Sequence, residues 1–329
     1  MNAELNQAVH TLSENINADI KANVIGDRSP IVIGLVAASG YAVNAEAVAR
    51  GIENLQAQGC IVKNFSDADK KFQRFGATDD ERIAQLYAAA QDPEVDIVLA
   101  LRGGYGLTRL LPELDFRLLA NSGKLFVGHS DFTALQMGLL AHTGAISFSG
   151  PMLCDDFVRE ELSAYTLNQF WRCITQAEHT VSAQTTGNPE LEVSGPLWGG
   201  NLAMLTHLVG SPYLPQVAGG ILFVEDVNEH PYRVERMVLQ LLHAGVLDQQ
   251  KALLLGDFSA YRLTDYDNGY DFEQMVAYLR THLPIPVLTG LPFGHGRDKA
   301  TLVVGAPATL RAQAEGFTLS MRGYARLKG

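Results

Sequence analysis

The chain reads as an α/β protein built on a parallel sheet, and three observations point there. Short apolar runs recur through the first half, stretches of helical length separate them, and glycine-rich polar clusters stand where the runs end. Strands alternating with such helices form βαβ units, whose parallel sheet is covered on both faces. Residues 3–24 read as an amphipathic helix or a loose arm ahead of the first strand, Ile-Val-Ile-Gly-Leu-Val-Ala at 31–37. There follow a helix at 44–58, a strand at 60–65, a helix at 78–90 and the apolar strand at 96–101. A helical stretch at 108–120, a strand at 125–128 and a helix at 132–143 complete the alternation. Ligands of such sheets sit at the carboxyl ends of the strands.

Beyond residue 160 the texture changes. A helical piece at 161–176 precedes a polar stretch, 180–193, that reads as a linker or as exposed strands. From 194 a second unit holds a strand at 220–224, a helix at 232–244, a strand at 252–256, a helix at 271–282 and short strands after Pro286 and Thr301. The expected division is an arm (1–30), an α/β domain (31–160), a linker (161–193) and a carboxyl-terminal domain (194–329).

At 329 residues the chain has room for two ordinary domains or one large one. Its net charge of -11 offers no basic footprint for nucleic acid or an anionic membrane, and fits a soluble cytoplasmic protein. Cys60, Cys154 and Cys173 show neither disulfide-framework nor metal-ligand spacing, which fits a reducing compartment. Residues 1–30 lack the pattern of a signal peptide, and no apolar run is long enough to span a membrane. No histidine has zinc-ligand spacing and no glycine-rich segment matches a phosphate-binding motif, so neither a metal nor an organic cofactor is expected.

Three polar clusters follow apolar strands. In Gly128-His-Ser-Asp131 a strand feeds a sharp turn into a helix, a place where a serine side chain is lifted clear of the sheet beside free helix N–H groups. Ser130 there fits a nucleophile or a helix N-cap, and Phe132 occupies the position of the second glycine in a Gly-x-Ser-x-Gly elbow. In Arg102-Gly-Gly-Tyr-Gly106 the glycines fit a tight turn or backbone donors to an oxyanion; the spacing matches no phosphate-binding loop. Glu225 ends the strand Ile221-Leu-Phe-Val224, where its carboxylate needs a partner: Arg233 or Arg236 in a salt bridge, or a histidine in a catalytic pair. Among nine histidines, His295, between Gly294 and Gly296, is best placed to reach a cleft. His129 reads as packing or structural hydrogen bonding, since neighbouring side chains on an extended segment face opposite ways.

These segments, with Leu197-Trp-Gly-Gly-Asn-Leu-Ala203 and Gly290-Leu-Pro-Phe-Gly-His295, resemble the LD-carboxypeptidases, the muramoyltetrapeptide carboxypeptidase family of serine peptidases, from about Ile31 to Ala306. The resemblance implies a nucleophile domain of parallel α/β type, a smaller carboxyl-terminal α/β domain and often a homodimer. It implies Ser130 as nucleophile, His295 as general base and Glu225 as its orienting carboxylate. Backbone N–H groups of Gly103 or Gly104 and of Asp131 are then expected as the oxyanion hole. A carboxypeptidase must also bind a terminal carboxylate, for which Arg102, Arg233 and Lys299 are candidates, and Trp198 and Asn201 are expected to line the cleft. The implied substrate is a cytosolic murein tetrapeptide, cut between the L centre of meso-diaminopimelate and D-alanine. A self-immunity peptidase of the same family, acting on an aminoacyl-nucleotide, and a non-catalytic anion-binding protein are the rival readings. Position 129 commonly holds another residue in relatives, and the arm up to Pro30 is longer than usual.

Overall fold

The computed structural model describes residues 2–26 and 29–327. The arm is helix α1 (Asn2–Asp19), which widens into a π-helical turn over Ile20–Ile25. It is docked, not loose. Ile20 and Ile25 are buried, Ser13 Oγ donates to the Glu160 carbonyl at 2.6 Å, and Asn17 Nδ2 donates to Asn54 Oδ1 at 3.1 Å.

The first half alternates as expected: β1 (Val32–Val36), α2 (Ala45–Ala57), β2 (Ile61–Asn64), α3 (Asp79–Gln91) and β3 (Ile97–Ala100). It continues with α4 (Leu107–Leu110), α5 (Phe116–Asn121), β4 (Leu125–Gly128), α6 (Thr133–Thr143) and β5 (Ser147–Ser149). These five strands are parallel and lie in the order β5-β4-β3-β1-β2. β1, β3 and β4 are buried at every position, which is why their sequences are unbroken apolar runs without alternation. The helix expected at 108–120 is two short pieces, because Pro112 cannot extend the first and Asp115 caps the second by accepting from the N–H groups of Arg117 and Leu118.

The second half holds α7 (Ala164–Thr175), β6 (Glu178–Gln184), β7 (Leu191–Asn201), α8 (Leu202–Leu208), β8 (Gly220–Val227) and α9 (Pro231–His243). After these come β9 (Gln250–Ser259), α10 (Phe272–His282), β10 (Val287–Leu288), β11 (Leu302–Val304), β12 (Pro307–Gln313) and β13 (Gly316–Arg322). Seven of these strands form one sheet, β10-β9-β8-β7-β12-β13-β6. Residues 161–193, expected as a linker, are built into the fold: α7 buries Phe170 and Trp171, whose indole donates to Gln58, and β6 joins the second sheet by pairing antiparallel with β13 from Glu178 to Gln184. β7 serves two partners. Its first half pairs antiparallel with β12 and its second half parallel with β8, where Asn201 stands opposite Glu225.

One strand breaks the division by sequence. β11 leaves the second sheet and pairs antiparallel with β5, becoming the edge of the first. The segment between β10 and β11, which contains His295, therefore bridges the two sheets.

Candidate active site

Ser130 stands two residues beyond the end of β4, at the carboxyl edge of the first sheet, and adopts φ of 59°, a left-handed conformation uncommon for a residue with a side chain. A single 3-10 turn over Ser130–Phe132 then leads into α6. The turn is tight because Gly128 has no side chain: a Cβ there would lie 2.7 Å from Phe132 Cγ and 2.9 Å from Ala100 Cβ. Strain of this kind at a turn that presents a hydroxyl is a mark of functional sites.

Gly103 faces Ser130 so closely that a Cβ on it would stand 2.8 Å from Ser130 Oγ and 3.5 Å from the Asp131 backbone nitrogen. The glycine turn and the start of the helix thus meet at the serine. Asp131 locks this meeting with its side chain, a role separate from its backbone N–H. Its buried Oδ2 accepts from Ser39 Oγ at 2.7 Å and from the Leu107 N–H at 2.9 Å, tying together the segments after β1, β3 and β4. Burial pushes the Asp131 carboxyl up in pKa, against those donors, the Gly106 N–H and the charge of Arg82.

On the second sheet, Glu225 lies near the end of β8, followed by the buried Asp226, and is fully inaccessible. His295 Nδ1 donates to its Oε2 at 2.7 Å, while Asn201 Nδ2 donates to Oε1 at 3.3 Å. Burial opposes the charged imidazole, but the Glu225 hydrogen bond and charge, helped by Asp155, outweigh it, and the pKa of His295 is raised above 6.5. Asp226 beside it is pushed up to about 6 by burial and by the Glu225 charge. The His295 segment is pinned to β9: Asp257 N–H donates to the Phe293 carbonyl at 2.8 Å, and Leu291 N–H to the Leu255 carbonyl at 3.2 Å. The two halves meet here, since His129, the residue before Ser130, packs its ring edge-to-face on that of His295 with centroids 5.2 Å apart.

The expected substrate contacts fare differently. Trp198 is not in the cleft: it is buried in the core with its indole N–H donating to Gln250 Oε1 at 2.8 Å. Asn201 is likewise buried; its amide bridges Glu225 and Asp226, and its Oδ1 caps α8 by accepting from Met204 N–H. Lys299 is fully buried and paired with Asp156 at 3.0 Å, out of reach of a substrate carboxylate. Arg233 lies on the exposed first turn of α9, paired with Glu229 at 3.7 Å. Arg102 stays beside the glycine turn, half-buried, with Nη1 donating to the Tyr41 carbonyl at 3.1 Å. Sequence reasoning missed the supports, Ser39, Asp226 and the side chain of Asp131, because each acts across strands distant in sequence. Among the described residues no group of three or more His, Cys, Asp or Glu side chains is placed to hold a metal ion.

This arrangement has counterparts. Residues 33–150 match the LD-carboxypeptidase N-terminal domain and residues 194–310 the LD-carboxypeptidase C-terminal domain. A crystal structure of muramoyltetrapeptide carboxypeptidase from Oxalobacter formigenes is 53% identical, superposes with a TM-score of 0.86, and covers 89% of this chain and 99% of its own. A probable murein peptide carboxypeptidase of Bacillus subtilis is 32% identical over 70% of this chain and 74% of its own. The Microcin C7 self-immunity protein MccF of Escherichia coli is 28% identical over 78% of this chain and 83% of its own. With both domain models matched in order and the sheets, turn and paired carboxylate in place, the chain belongs to the LD-carboxypeptidase family.

Proposed function

We propose that this protein is a serine LD-carboxypeptidase that removes the terminal D-alanine from cytosolic murein tetrapeptides in peptidoglycan recycling, cutting at the L centre of meso-diaminopimelate. The observation that carries the mechanism is the 2.7 Å bond from His295 Nδ1 to a fully buried Glu225. It commits Nδ1 as a donor and leaves Nε2 as the basic nitrogen, the tautomer a general base needs. His295 then takes the proton of Ser130 as its oxygen attacks the peptide carbonyl, and returns it to the leaving amine of D-alanine. Water activated by the same imidazole releases the acyl group. The backbone N–H groups of Asp131 and of Gly103 or Gly104 hold the oxyanion; losing one such donor typically costs about 10²–10³ in turnover.

Arg102 is the basic residue we assign to the terminal carboxylate, because Lys299 is sealed in an ion pair and Arg233 is engaged on the surface. A murein peptide is favoured over an aminoacyl-nucleotide because Trp171 and Trp198 are both buried, so neither offers a stacking platform for a nucleobase. The homodimer belongs to the same reading, and sedimentation velocity tests it.

Mass-spectrometric detection of D-alanine release from a meso-diaminopimelate tetrapeptide is the decisive experiment. Release by wild type is expected to collapse by about 10⁴-fold or more in Ser130→Ala and His295→Ala, and strongly in Glu225→Ala. Absence of release by folded wild type would overturn the assignment and direct the assay to an aminoacyl-nucleotide.

A further inference from the structure

Beside the proposed base lies a buried polar cluster that the mechanism above does not use. His129 is 1% exposed, and its Nδ1 sits 2.9 Å from the Gly150 carbonyl. A carbonyl can only accept, so Nδ1 carries the proton and Nε2 faces the cluster. Lys299 Nζ lies 3.3 Å from Nε2, and Asp155 Oδ2 lies 3.4 Å from it. Lys299 in turn pairs with Asp156 Oδ1 at 3.0 Å, and Asp156 Oδ2 accepts from the Met152 N–H at 2.9 Å. The ring of His129 is therefore gripped on both nitrogens, while its face or edge meets His295 at 5.2 Å.

The same cluster holds the chain that carries His295. Ser163 Oγ donates to Asp298 Oδ1 at 2.5 Å, Thr166 Oγ1 donates to the Arg297 carbonyl at 3.1 Å, and Lys299 N–H donates back to Thr166 Oγ1 at 3.0 Å. Segment 153–166 thus fixes residues 297–299 from outside and His129 from inside.

We propose that His129, clamped between Lys299, Asp155 and the Gly150 carbonyl, is a positioning residue that holds the imidazole of His295 in line with Glu225 and Ser130. The inference rests on the serine-peptidase reading of His295. An unsupported ring on a glycine-flanked loop would sweep a range of orientations, and misplacement by about 1 Å can cost 10²-fold in rate. Asp155 and Lys299 add an electrostatic consequence. The titratable and charged groups facing His129 are Lys299, Asp155 and His295; behind them stand Asp156 and Glu225, with Cys154 next to Asp155 in the chain and Arg102 near Cys154. Burial opposes the charge of Asp155, yet His129 and the surrounding cations hold its carboxyl well below the usual range, so it acts on His295 as an anion.

Two variants and two readouts test this. His129→Phe keeps a ring but removes both grips, and is expected to lower kcat by about 10- to 100-fold with KM unchanged. Asp155→Asn, at a side chain 38% exposed, removes an anion that favours the imidazolium. It is expected to move both the NMR titration of the His295 ring and the acid limb of kcat/KM to lower pH. Wild-type kcat in His129→Phe, or a loss of thermal stability alone with kcat and the His295 titration unchanged in both variants, would overturn the proposal. The NMR titration does not depend on substrate. If wild type releases no D-alanine, the functional reading fails, while a His295 titration unmoved in Asp155→Asn and His129→Phe would separately sink the positioning role.

Discussion

Ser130 combines chemistry and strain in one position. Its φ of 59° costs about 1–2 kcal/mol for a residue with a Cβ, and the Asp131 lock, buried Phe132 and Gly103 hold it there. Ser130→Gly and Ser130→Ala both remove the proposed nucleophilic oxygen, but glycine also removes the strain. Urea denaturation is expected to find Ser130→Gly more stable than Ser130→Ala by about 1 kcal/mol, after the larger backbone entropy that glycine loses on folding. Equal stabilities would mean that the turn relaxes at no cost. Ser130, Glu225 and His295 stand out in the sequence because each sits in its own local signature: a glycine before a post-strand turn, an acid closing an apolar strand, a histidine between glycines. Asn201 and Trp198 were misread because nothing local tells a residue that lines a cleft from one that supports its wall.

Trp198 and Asn201 both belong to β7, and their roles follow from register. Pairing with β8 sets Asn201 opposite Glu225 and Trp198 opposite Leu222, three residues deeper in the sheet. At that depth the indole N–H must find a buried partner, and it finds Gln250 Oε1, whose amide donates to the Val217 and Val246 carbonyls. Trp198→Phe leaves that oxygen unpaired and is expected to cost about 1–3 kcal/mol in chemical denaturation with kcat/KM unchanged. A rise in KM with unaltered stability would return Trp198 to the cleft. β12 and β13 went unread for a related reason. The inward positions of β12 are Ala308, Leu310 and Ala312, and alanine is a weak strand signal although the alternation is there.

The molecule as a whole is knitted in two places. β11 carries the chain from the second sheet to the edge of the first, and the arm closes the back of the first around α2 and α7. There Asn17 Oδ1 accepts from Gln58 Nε2 at 2.7 Å, and Gln58 Oε1 accepts from the Trp171 indole at 2.6 Å. Asn54, which accepts from Asn17, donates to the Phe157 carbonyl at 2.8 Å, so the chain of bonds runs on toward segment 153–166. Asn17→Ala strips partners from the buried amide of Gln58 and the half-buried amide of Asn54 and is expected to lower stability by about 1–3 kcal/mol in urea. A change within about 0.5 kcal/mol, the range of surface substitutions, would mean that the arm is not docked in solution.

Periodicity and apolar runs were enough to read the βαβ half, because a strand buried on both faces must be apolar at every position and so announces itself locally. The turn at Ser130, the acid at Glu225 and the glycine-flanked His295 were also singled out by local patterns. Their partnership was expected only from the family resemblance, not from any local pattern. The 2.7 Å contact between His295 and Glu225 joins residues 70 apart and depends on the pinning of the His295 segment to β9; the His129–Lys299 contact joins residues 170 apart across the two sheets that β11 links. Hydrogen bonds and ring contacts act over a few ångströms of space, whereas sequence patterns report each segment's own exposure; only packing brings the two together.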